Sequence, residues 1–289
     1  VNLCIRNSSF ILKQLYFGTQ TESIHSLDGS SSILHLFKMQ EDLNDFYSHC
    51  KQSLTKLEEE KIKSALSCIE KSKDRLLLID KIFELKFTGS FLMKAFRKVL
   101  CPNEGKDLKV AVINETSNKI KDLQEGESYI LPFSYERAEW NSGHAVVLEV
   151  IKKNELYSLR IYNTGGESKF HESKGNLTYP LTYNGFSFDS ITEFISDSFF
   201  VETRQSAFLD GHSIYTDAHK KVLENQKGTV ALYNGIPYPL QSVGSCTESS
   251  LQAWLLTKLG IESNIYEKFR AHKLEREIQA CKSNSSILA

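Results

Sequence analysis

The sequence predicts an α+β protein: a helical N-terminal extension over residues 1–105, then a core over residues 106–289 that joins a mixed β-sheet to a helix opening on a cysteine. Three observations lead there. Between Glu41 and Leu100 the only glycine is Gly89, there is no proline, and Leu54, Leu57, Ile62, Ala65, Leu66 and Ile69 keep helical intervals. After the turn chemistry of Cys101–Asp107 the apolar residues gather into short β-rich runs. Near the C-terminus, Ser245 followed by Glu248 forms a capping-box pattern, and Leu251, Trp254, Leu255 and Leu259 then recur at helical spacing until Gly260.

Composition narrows the classes. A chain of 289 residues, 40% hydrophobic and 25% charged, suits a globular protein with one large or two small cores. A net charge of −1 carries no electrostatic footprint for nucleic acid, and no run of 18 apolar residues suggests a transmembrane span. Six scattered cysteines without a C-x-x-C pair argue against a zinc ribbon, a redox pair and a disulfide framework, so reduced thiols and a cytoplasmic setting are expected. The chain opens on Val1 with no basic-then-apolar leader, which suggests a piece of a longer protein.

The elements follow in order. The Ser/Gly-rich stretch Ser26–Ser32 reads as a loop, and Glu41–Leu100 as two or three helices. One includes Leu76–Phe83, and a basic one spans Phe91–Leu100 with Lys94, Arg97 and Lys98. Strands are expected at Lys109–Asn114, Ser128–Tyr135, His144–Ile151, Leu156–Asn163 and Thr229–Tyr233. Helices are expected over Phe186–Phe200, from Cys246 to Gly260, and over Asn264–Cys281, with Ser283–Ala289 frayed.

A cysteine nucleophile requires a base, a group that orients the base, and oxyanion donors. Cys246 stands at the first position of its helix, where unpaired N–H groups and the positive helix end favour a thiolate. His144 follows the Asn141–Gly143 turn at the first residue of a strand, a rigid mount at the rim of a sheet. If Lys152–Glu155 is a four-residue turn, Ile151 pairs with Leu156 and His144 stands opposite Asn163; a two-residue turn leaves Asn163 diagonal to it. Either way one face carries Val146, Leu148, Val150, Tyr157, Leu159 and Ile161, while the face with Glu149 and Arg160 reads as the wetter one. His171 reads as a surface or substrate-contact residue, and Asp210, His212, Asp217 and His219 lack the spacing of metal ligands, so neither metal nor cofactor is expected.

The order of these residues resembles the Ulp/sentrin-type cysteine proteases, a group that includes bacterial effector deubiquitinases and YopJ-like acetyltransferases. The matching stretches are Gly-His-Ala-Val-Val-Leu at His144, Arg-Ile-Tyr-Asn at Asn163, and Pro-Leu-Gln-Ser-Val-Gly-Ser-Cys with Gln241 and Cys246, within residues 128–260. The resemblance implies a papain-like/Ulp-like core with Cys246 as nucleophile, His144 as base, Asn163 as orienting residue and Gln241 at the oxyanion hole. Trp140 would line a channel for a Gly-Gly tail. It implies an isopeptidase that removes ubiquitin or a ubiquitin-like modifier, acting in a host cytosol into which a bacterium secretes it, with residues 1–105 for substrate recognition. An acetyltransferase on the same core and a non-catalytic partner-binding module are the other readings. Asn163 departs from the family, which carries Asp there, and the long interval from His144 to Cys246 implies an insertion at about 164–226.

Overall fold

The computed structural model describes residues 29–87, 104–137, 142–165, 170–171, 173–174, 177–203, 215, 220, 229–231, 236–239, 246–260 and 264–287. Helix α1 (Gly29–Cys50) and α2 (Lys56–Phe87) form a hairpin through a short 3-10 turn at Lys51–Ser53, and α3 (Glu104–Lys121) follows. Strands β1 (Ser128–Arg137), β2 (Ser142–Lys153) and β3 (Leu156–Tyr162) come next, then β4 (Ser173–Lys174), β5 (Leu177–Thr178) and β6 (Leu181–Phe186). Helix α4 (Phe188–Thr203), β7 (Thr229–Ala231), β8 (Tyr238–Pro239), α5 (Cys246–Leu259) and α6 (Ile265–Ile287) complete the order.

The class is α+β, but the sheet is not mixed. The five strands β1-β2-β3-β6-β7 pair antiparallel at every described ladder, and so do those of a small second sheet, β4-β5-β8. Lys109–Asn114, expected as a strand, lies inside α3; its β-rich residues serve a helix because Val112 is buried in the core shared with α1 and α2, and Ile120, farther along α3, in the core on the other face of the sheet. Helix α1 starts at Gly29, inside the stretch expected as a loop, and α6 continues to Ile287, past the expected fraying point. The basic stretch with Lys94, Arg97 and Lys98 lies outside the described residues.

Local chemistry explains several boundaries. Thr55 and Glu58 close a capping box at the start of α2: the Glu58 N–H donates to Thr55 Oγ1 at 3.3 Å and the Thr55 N–H to Glu58 Oε2 at 2.8 Å. Ser187 caps α4 through the Ser190 N–H at 3.1 Å. Gly260 ends α5 with φ 81° while its N–H reaches the Leu256 carbonyl at 2.9 Å, a left-handed stop that a side chain would strain.

The sheet is the middle of three layers. On one face, Ile130, Val147 and Tyr162 join Leu43, Phe46, Ile62, Ile69, Leu251, Trp254 and Leu255 in a core shared by α1, α2, α5 and α6. On the other, Leu131, Phe133, Val146, Leu148, Leu159, Ile161 and Tyr183 pack with Ile191 and Phe194 of α4. The boundary expected near residue 105 thus falls within α3, and α1 and α2 share their core with the sheet. Residues 164–226, expected as an insertion, supply β6, the strand between β3 and β7.

The face expected to be wetter is buried. Glu149 lies directly across from Arg160 and is 2% exposed, because α2 and α5 cover it. Its carboxylate accepts the Tyr162 hydroxyl at 2.9 Å and sits 3.5 Å from Arg160 and 3.7 Å from Lys258. A charge so placed is tolerable only with such compensation.

Candidate active site

The β2–β3 turn decides how the candidate residues meet. Asn154 and Glu155 adopt φ 51° and 63°, the backbone of a two-residue hairpin turn, so Val147 pairs with Tyr162 and Lys153 with Leu156. Of the two registers open to the sequence, this is the one that leaves Asn163, just past the end of β3, diagonal to His144. His144 is in the ladder with β1, opposite Tyr135.

Helix α5 begins at Cys246, and two contacts set its height on β2. The Ser250 hydroxyl donates to the Ala145 carbonyl at 3.4 Å, and Lys258 Nζ reaches Oγ of Ser128, the partner of Ile151, at 2.8 Å. The helix therefore runs in the direction of β2. Cys246 stands one turn before Ser250, about 6 Å back along the axis at a rise of 1.5 Å per residue. That is roughly two strand residues, so the head of the helix comes level with Gly143 and His144.

Strand alternation adds a second fact. Ala145, Val147 and Glu149 form the row beneath α5, and Val146 and Leu148 the row on the α4 side. Beyond Tyr162, among the described residues, no strand covers the β3 side of β2. Gln241 and Trp140 lie outside the described residues, as does Ser245 of the expected capping box. Tyr238 donates and accepts at Asn163, and Cys246 opens α5.

Asn163 is wholly buried. Its N–H donates to the Tyr238 hydroxyl at 3.1 Å, its Nδ2 to the Tyr215 hydroxyl at 2.8 Å, and its Oδ1 accepts the Gly165 N–H at 3.0 Å. Tyr215 lies 2.8 Å from His171 Nε2, whose Nδ1 is 2.8 Å from the Tyr179 carbonyl. His171 is therefore no surface residue; it is 5% exposed, and burial pushes its imidazole down to about 4. Burial also raises the Tyr238 phenol above its ordinary range. Tyr215 and Tyr238 escaped sequence reasoning because single tyrosines in polar or proline-flanked stretches carry no periodic signal.

Among the described residues no group of three or more His, Cys, Asp or Glu could hold a metal ion, and no helix is long and apolar enough to cross a membrane. Asp210, His212, Asp217 and His219 lie outside those residues. No family model, curated protein or solved structure matches the chain.

Proposed function

We propose that the chain is a cysteine hydrolase that cuts an amide through a thioester at Cys246, with ubiquitin or a ubiquitin-like protein as the acyl donor. The observation that supports it best is the Ser250–Ala145 contact, which sets the head of the Cys246 helix level with His144 at the sheet end where Asn163 is buried. In this reading the Cys246 thiolate attacks the carbonyl, and His144 passes a proton to the leaving amine. Water then attacks the thioester, with His144 as base. Gln241 and N–H groups at the helix start receive the oxyanion, and Trp140 borders the entry of the tail.

The other reading is a partner-binding module whose Cys–His pair does no chemistry.

The test is incubation with ubiquitin and ubiquitin-like probes that carry a C-terminal electrophile, beside Cys246→Ala and His144→Ala. An adduct lost in both variants supports the hydrolase. No adduct with any probe, together with alkylation of Cys246 no faster than a free thiol, leaves the binding module.

A further inference from the structure

The buried chain behind Asn163 has a direction that can be worked out proton by proton. The Tyr179 carbonyl can only accept, so His171 Nδ1 carries the ring proton in the 2.8 Å contact between them. In the neutral ring Nε2 is then an acceptor, and the Tyr215 hydroxyl donates to it at 2.8 Å. That uses the one proton of Tyr215. Its 2.8 Å contact with Asn163 Nδ2 is therefore one in which the amide donates. The other end of the side chain gives the same answer independently, since the Gly165 N–H requires an oxygen and finds Asn163 Oδ1 at 3.0 Å. Phe170 stacks on Tyr215 with ring centroids 4.7 Å apart and holds the phenol in line.

We propose that Tyr215 and His171 are positioning residues that lock the Asn163 carboxamide with its nitrogen toward Tyr215 and its oxygen toward the end of β3, and that this lock requires asparagine rather than aspartate at position 163. The link to Cys246 rests on the hydrolase reading; the lock itself does not. A carboxylate at 163 has no proton to give, so Tyr215 would have to donate to it and abandon His171 Nε2. That nitrogen would regain a partner only by taking a proton from solvent and donating to the Tyr215 oxygen. Once its acid ionises, Asn163→Asp thus converts a neutral chain into a buried carboxylate–imidazolium pair bridged by one phenol.

Two measurements test this on the full chain. The first is nitrogen-15 NMR of His171, assigned with His171→Gln. The wild type should show a neutral ring protonated at Nδ1 at pH 7, and Asn163→Asp a doubly protonated ring at the same pH. A ring protonated at Nε2 in the wild type, or a neutral ring beside a carboxyl that carbon-13 NMR shows to be ionised in Asn163→Asp, overturns the lock whatever the enzyme does. The second is the rate of probe labelling at Cys246, or of its alkylation as a function of pH. Tyr215→Phe, which keeps the ring stacked on Phe170, should slow labelling roughly tenfold or more. Asn163→Ala should do the same, and the double variant should add little. Wild-type labelling rates in Tyr215→Phe beside a slowed Asn163→Ala overturn the positioning role. Absence of any labelling in the wild type counts against the hydrolase reading, and the NMR result then decides the lock alone.

Discussion

The Ser250 hydroxyl meets the Ala145 carbonyl at 3.4 Å, and through this contact the head of the cysteine-bearing helix is set against the first residues of β2. Ser250 is fully buried, so the site tolerates little added volume. Ser250→Ala removes a long hydrogen bond and should cost less than about 1 kcal/mol. Ser250→Leu forces helix and strand apart and should cost about 1–3 kcal/mol. Urea denaturation reads both, and only the leucine variant should also slow modification of Cys246.

Glu149 is the charge on which the helix-facing layer depends. With Arg160 and Lys258 only 18% and 16% exposed, Glu149→Ala strands two cations in a poorly solvated layer. A loss on the order of 3–5 kcal/mol is expected by chemical denaturation. A double-mutant cycle with Lys258→Ala should return a coupling of about 1 kcal/mol or more, because the residues share one network.

His171 makes stability depend on pH with a definite sign. Its folded imidazole titrates at about 4 against an ordinary 6.5, so as pH falls between these values the unfolded chain takes up a proton that the folded chain refuses. Stability is present above pH 6.5 and is lost as pH falls toward 4, with a slope that approaches about 1.4 kcal/mol per pH unit. Denaturation midpoints of wild type and His171→Gln should converge as pH falls from 6.5 to 5; parallel curves would show that the ring is not buried in its neutral form.

The thiols should separate by reactivity. Cys68 is 2% exposed and its thiol is pushed up to about 12 by burial and the nearby Glu149, while burial also raises Cys50. Iodoacetamide at pH 7, followed by peptide mass spectrometry, should modify Cys246 ahead of Cys50 and leave Cys68 untouched until the chain unfolds.

Much of the secondary structure was legible in the sequence because it follows local periodicity. The strands near Ser128, His144, Leu156 and Thr229 and the helices after Phe186, Cys246 and Asn264 all occur, and Gly260 ends its helix by the left-handed turn its lack of a side chain allows. Lys109–Asn114 was not legible, since Val110, Val112 and Ile113 read as strand in a short window while the longer window with Leu108 and Ile120 is a helix that spans two cores.

By itself the sequence determined the α+β class, the apolar row of β2 and β3, and a helix that opens on Cys246, because each depends on residues a few positions apart. Tertiary structure decided the rest. It chose the two-residue Asn154–Glu155 turn, and with it the diagonal placement of Asn163, and it buried the Glu149 face under two helices. It also joined Asn163 to Tyr215 and His171, whose contacts span gaps of 52 and 44 residues. Hydrogen bonds across such distances leave no periodic trace in the chain, since only the folded core brings their donors and acceptors together.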